Sequence, residues 1–195
     1  MSSINAVDSI TWGQLGASFT SLSGAQSVSS DKGVGATVTS AGNTFMRLDQ
    51  GNGWSGTFAS GEALLWTAQV GPDITLTFDK AVNAVGAYLA ADYYGPFTAQ
   101  IMGGNGQLLG TYSAEGNSGQ YNAFVGLQST AYDIKSVTFS LSNAVAAPND
   151  FAIGTVQLGG VSTVPLPASA PMFGAALLGL AGLGFAAKRK VKATA

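Results

Sequence analysis

Two short runs constrain the fold of this 195-residue chain more than any other feature. "DITLTFD" (73–79) alternates Ile74, Leu76 and Phe78 with Thr75 and Thr77, and "IKSVTFSLS" (134–142) repeats the pattern with Val137, Phe139 and Leu141. Apolar side chains at every second position fall on one face of an extended strand and scatter around a helix. "AVGAYLAA", "FTAQIMG", "QLLGTYS", "NAFVGLQS" and "FAIGTVQLGG" are further strand candidates, and "ITWGQLG" (10–16) and "NTFMRLD" (43–49) add two near the start. "GP", "GGNG", "EGNSGQ" and "APND" lie between them and carry turn chemistry. About nine strands at this spacing predict an all-β body, an antiparallel β-sandwich or jelly roll. The one helical candidate in the body is "SGEALLWTAQ" (60–69), with Ser60 as its N-cap.

Composition narrows the chemistry. The chain has no cysteine and no histidine, which excludes Ser-His-Asp and Cys-His nucleophiles and any zinc site built on those ligands. Charged residues are only 9%, too few for the exposed faces of a helical bundle. Before Val164, four basic residues (Lys32, Arg47, Lys80, Lys135) stand against all ten acids, a net charge of -6. Such a body has no basic patch for phosphates, and nucleic acid is excluded as a partner.

Candidate sites are few. "GNGWSG" (51–56) matches a dinucleotide fingerprint by letters, but "TFASG" follows it where a helix must start, so it reads as a Gly-rich loop around Trp54. No catalytic or metal residue is assigned and no cofactor is expected; a structural calcium ion at 49–52 (Asp49-Gln50-Gly51-Asn52) or at Asn149-Asp150 stays open, although Glu62 lies off the EF-hand spacing. Glycosidase chemistry needs two carboxylates across a scissile bond, and their pairing is invisible in sequence. "ADYYGPF" (91–97) is the binding candidate: Asp92, Tyr93, Tyr94 and Phe97 bracket a Gly-Pro turn, as in a sugar site that sets aromatic area beside a carboxylate. The competing reading packs alternate aromatics into the core. Trp12, Trp54 and Trp66 read as core or loop anchors rather than sugar platforms.

After "GGVSTVPLPAS" the chain changes character. Residues 164–187 carry no charge, and the apolar run 170–187 is 18 residues long, about 27 Å as a helix. That length is near the minimum for a membrane span. Lys188, Arg189, Lys190 and Lys192 follow with no acid, as on a cytoplasmic flank. The expected organisation is a β-sandwich extracellular domain over 1–160, a Pro-containing linker over 161–170, a single C-terminal transmembrane helix over 171–187 and a basic cytoplasmic tail over 188–195.

Val164, Pro165, Leu166, Pro167 and Ala168, then an apolar span, then a Lys/Arg cluster, resemble the PEP-CTERM sorting signal in its VPLPA variant. The resemblance implies a bacterial exported protein processed by an exosortase-type membrane protease. It also implies transient anchoring in the inner membrane through the C-terminal helix, followed by release to the cell surface or a biofilm and exopolysaccharide matrix. "GQLGASFTSL", "RLDQGNGWSGTF" and "NDFAIGTVQLGG" are similar to the β-sandwich passengers of this group, which often carry "DFAID" where this chain has Gly154. Met1 to Gln14 lacks the basic start and apolar run of a signal peptide, so a truncated or misassigned start is expected. The reading that follows is a non-enzymatic structural or adhesive matrix protein. A lectin-like carbohydrate-binding module is the alternative, with polysaccharide as partner, and a glycosidase is third.

Overall fold

Ile74, Leu76 and Phe78 are buried to within 1% of full occlusion, while Thr77 between them is exposed. Their alternation therefore seals one face of a sheet, and the same holds for Val137, Phe139 and Leu141. The computed structural model describes residues 4–68, 73–91, 95–116, 122–141 and 150–161, all within one compact unit, Met1–Ser162. The expected linker motif, transmembrane helix and basic tail fall outside the described residues. Among the described residues, no helix is long and apolar enough to cross a membrane.

The described chain is a two-sheet, almost wholly antiparallel β-sandwich. In order come β1 (Asp8–Ile10), a 3-10 turn (Trp12–Leu15), β2 (Thr20–Ser23), β3 (Gln26–Ser29), β4 (Gly35–Thr39), β5 (Thr44–Gln50), β6 (Gly53–Trp54) and β7 (Ala63–Trp66). They continue as β8 (Asp73–Val82), β9 (Ala84–Ala91), β10 (Gly95–Gly103), β11 (Leu108–Gly116), β12 (Ala123–Gln128), β13 (Ile134–Leu141) and β14 (Phe151–Leu158). Sheet I runs β12-β9-β14-β7-β5-β2, with β1 also on β14 and β6 on β5; sheet II runs β11-β10-β13-β8-β4-β3. One core fills the gap between the sheets, with Phe45, Phe78, Phe97, Phe139, Phe151 and Trp12 as its largest members. Phe97 and Phe151 meet edge to face, with ring centroids 6.0 Å apart.

Two expectations need correction, and the described residues hold fourteen strands where about nine are expected. "ITWGQLG" forms only the end of β1; from Trp12 it becomes a 3-10 turn, because the indole turns inward to donate from Nε1 to the Gly154 carbonyl at 2.8 Å. "SGEALLWTAQ" holds strand β7 instead of a helix. Leu64 and Leu65 point to opposite sides and both are wholly buried, and a run covered on both faces gives no period by which strand and helix differ. Strands β2, β3 and β4 ("TSLS", "QSVS", "GATVT") are too short and too rich in Ser and Thr to register as periodic.

Strand β14 sits at the centre of sheet I and changes partner halfway along. On one side β7 pairs with Ala152 and Ile153, while β1 pairs with Val156 to Leu158. On the other side β9 follows the whole strand, but Ile153 faces Leu89 and Val156 faces Ala87. Three steps on β14 against two on β9 make a one-residue bulge at Gly154-Thr155. Both backbone groups freed there find partners. Trp12 takes the Gly154 carbonyl, and the Thr155 N–H donates to Glu62 Oε1 at 2.8 Å. A Cβ on Gly154 would lie 2.6 Å from Glu62 Oε1 and 3.1 Å from the Phe58 ring, so any larger residue must displace the Glu62 carboxylate from Thr155.

Two substitutions test this junction by urea denaturation. Trp12→Phe keeps most of the buried area but orphans the Gly154 carbonyl, and is expected to cost about 1–3 kcal/mol; Trp12→Ala, which empties the site, should cost about 3–5 kcal/mol. A loss near zero in Trp12→Phe, with the full loss in Trp12→Ala, would mean that the indole hydrogen bond contributes nothing. Gly154→Asp overpacks against Glu62 and should cost about 1–3 kcal/mol. The penalty should shrink in a Glu62→Ala background if the two side chains compete for one space.

Candidate functional site

The outer faces of the two sheets are chemically different. Sheet II carries rows of hydroxyls outward: Thr39, Thr75 and Thr138 lie side by side across three strands, and Thr37, Thr77 and Ser136 form the next row. Thr75 and Thr138 hydroxyls bond each other at 2.8 Å. Among the described residues, the hydroxyl rows of this face carry no aromatic ring.

Sheet I instead carries a second apolar layer on its outer face. Leu48, Leu64, Ala90 and Ala152 point outward and are buried. A flap over 51–62 covers part of them with Trp54 and Phe58. Its ends are sewn together where Gln50 N–H donates to the Glu62 carbonyl at 2.9 Å and Gly61 N–H to the Gln50 carbonyl at 3.1 Å. Its tip is held at the far edge, where Asn122 N–H donates to Thr57 Oγ1 at 2.9 Å. "GNGWSG" belongs to this flap; it closes a tight turn after β5 and opens no helix.

Beside the flap four large side chains stay half-buried on the same face: Met46, Trp66, Tyr88 and Phe124. Register places Met46 directly opposite Trp66, Trp66 opposite Ala152, and Ala152 opposite Ala90. Tyr88 is two residues along β9 from Ala90 and faces Phe124, its ring 5.2 Å from the Phe124 centroid at 67°. Ala90 and Ala152 beneath are wholly buried, so the larger side chains close over them. Trp66 and Tyr88 stand on strands two spacings apart, about 10 Å across the sheet.

Each ring is set by a particular neighbour. Trp66 Nε1 donates to Asp150 Oδ2 at 3.1 Å, and Phe151 N–H donates to Thr67 Oγ1 at 3.2 Å, tying the end of β7 to the start of β14. Phe124 lies flat against β9 because Gly86 has no side chain; a Cβ there would meet the Phe124 ring at 2.5 Å. The result is a fixed aromatic surface whose indole is held by a buried carboxylate, Asp150. It can stack apolar ring faces, and the indole is oriented before any ligand arrives.

Of the sequence-derived binding candidates, only Phe97 is among the described residues. Phe97 is wholly buried between the sheets and has no surface for a ligand, because it sits on the inward-facing positions of β10. Asp92, Tyr93 and Tyr94 lie outside the described residues, as do Val164, Pro165, Leu166, Pro167 and Ala168 and the basic Lys188, Arg189, Lys190 and Lys192. Of the calcium candidates, Asp49 pairs its carboxylate with the Arg47 guanidinium, and Asn149 is outside the described residues. Among the described residues no three acidic groups converge as a metal cluster. Trp66, Tyr88 and Phe124 were legible as aromatics but not as a group, since cross-strand register brings them together.

A groove of about 440 Å³ lies where β1 meets β14, lined by Asp8, Asp31 and Lys32 among others. Its two carboxylates are occupied in holding the turn after β3. Asp8 accepts from Ser30 Oγ at 2.5 Å and from Lys32 N–H at 3.0 Å, and Asp31 accepts from Ser9 Oγ at 2.7 Å.

No protein-family profile and no curated protein matches the chain. Among solved structures, the K2 cleaved adhesin domain of Lys-gingipain is similar at 13% identity with a TM-score of 0.43, covering 64% of this chain and 90% of that one. A family 6 carbohydrate-binding module is similar at 10% identity with a TM-score of 0.39, covering 73% and 94%. The enzymatically active domain of tailspike protein 4 from bacteriophage CBA120 is similar at 13% identity and a TM-score of 0.39; it covers 65% of this chain, which spans only 19% of that protein. The chain is thus a β-sandwich with distant structural similarity to carbohydrate-binding modules and adhesin domains.

Proposed function

We propose that this chain is a non-catalytic, polysaccharide-binding β-sandwich of an exported bacterial surface protein, with an adhesive or structural role in an exopolysaccharide matrix. The observation that carries the binding role is the half-buried aromatic group on sheet I, with Trp66 held by Asp150 and Tyr88 packed on Phe124. Sugar rings present C–H faces that stack on aromatic rings, while their hydroxyls need polar partners at the rim. The absence of histidine and cysteine, with Asp8, Asp31 and Glu62 committed to hydrogen bonds within the fold, supports a binding rather than a catalytic role.

The export and sorting part of the proposal rests on the tail. VPLPA at 164–168, a charge-free apolar run and a basic end would direct an exosortase-type protease to the chain after the helix has entered the membrane.

A glycan array tests the binding role. Saturable binding of the wild type should weaken at least about tenfold, about 1.4 kcal/mol, in Trp66→Ala and in Tyr88→Ala. Matching circular dichroism spectra would assure that both variants fold. Undiminished binding in both would move the site off this face. For the tail, intact mass of the protein recovered from its own host should correspond to a chain lacking Lys188 to Ala195; a mass that retains them would overturn processing.

A further inference from the structure

We infer that the aromatic face of sheet I selects uncharged polysaccharides and rejects polyanionic ones such as uronate polymers; this rests on the polysaccharide-binding reading above. The body has four basic side chains, and none of them serves this face. Lys80 is on β8 and Lys135 on β13, both strands of sheet II, and Lys135 Nζ donates to the Asp79 carbonyl at 2.6 Å. Arg47 is 7% exposed, points to the opposite side of β5 from Met46 and Leu48, and is paired with Asp49.

Lys32 is the remaining cation. It lines the groove with Gln157, five residues along β14 from Ala152, and shares that groove with Asp8 and Asp31. Five residues of strand span about 16 Å. The Debye length at physiological salt is about 8 Å, so the ammonium is screened from the rings. Among the described residues, two acids lie on the aromatic side instead, Asp150 wholly buried and Glu62 half-buried. Asp150 touches the Trp66 indole, and Glu62 sits at the root of the flap against Thr155.

A uronate or sulfated chain laid across Trp66 and Tyr88 would bring anions to a face with acidic neighbours and no base to pair with. A polyanion-binding face needs Arg or Lys in reach of the carboxylates. An uncharged chain loses nothing there: its sugar faces stack, and the net charge of -6 on the body is irrelevant to it.

The test uses the full-length chain in a polyoxyethylene detergent, by affinity electrophoresis against xylan, mixed-linkage glucan and galactan as neutral polymers, and alginate and polygalacturonate as uronate polymers. The expected result is retardation by at least one neutral polymer, little changed by salt, reduced tenfold or more in Trp66→Ala, and at least tenfold weaker retardation by both uronates at low salt. A second variant, Ser21→Lys, places a cation on an exposed position opposite Met46, in the row of Trp66. It should raise uronate retardation several-fold at low salt and leave neutral-polymer binding unchanged. Uronate binding equal to or stronger than neutral binding, and sensitive to Trp66→Ala, would overturn the selectivity while leaving the polysaccharide site intact. Retardation by the neutral polymers that is indifferent to Trp66→Ala, or none by any polymer, would overturn the site itself.

Discussion

The structure turns on the bulge at Gly154-Thr155. β14 is the only strand of sheet I bordered by both β7 and β1 on one side, and the exchange between them leaves a gap in the ladder where backbone groups have no strand partner. A buried, unpaired carbonyl or N–H at the centre of a sheet costs free energy comparable to a lost hydrogen bond. Trp12 and Glu62 fill the gap from opposite directions, one from the 3-10 turn and one from the root of the flap. The same two contacts bind the N-terminal segment and the flap to the central strand, so the inner core and the outer layer depend on one junction.

That junction also explains the outer face. Glu62 reaches Thr155 only because Gly154 leaves room, and Phe58 occupies the rest of that room. The flap is thereby drawn down over Leu48, Leu64 and Ala152, and its margin leaves Trp66, Tyr88, Phe124 and Met46 half-covered. Glu62 brings its carboxylate to Thr155 from a distant part of the sequence, which the string "FAIGTV" does not disclose.

Strands β8, β9, β10, β11, β12, β13 and β14 were legible because each alternates or sustains apolar side chains over six or more residues. Strands β2, β3 and β4 were not, because one or two apolar residues among serines and threonines carry no period. The ligand candidate drawn from "ADYYGPF" gathered residues by proximity in sequence. Phe97 shows the weakness of that rule: as an inward position of β10 it packs against Phe151, 54 positions away in the chain, at the heart of the core.

By itself the sequence determined an all-β body of low charge, barred from His- and Cys-dependent chemistry, and a separate charge-free segment ending in a basic cluster. These are properties of composition and of periods two residues long, and they survive whatever the strands pair with. Only the tertiary structure decided which aromatic rings share a surface. Trp66, Tyr88 and Phe124 come from β7, β9 and β12, and sheet I inserts β14, the last strand of the chain, between the first two. Their meeting depends on register, on a bulge one residue long and on glycines that let rings lie flat, because a strand's neighbours in space are set by hydrogen bonds between distant segments.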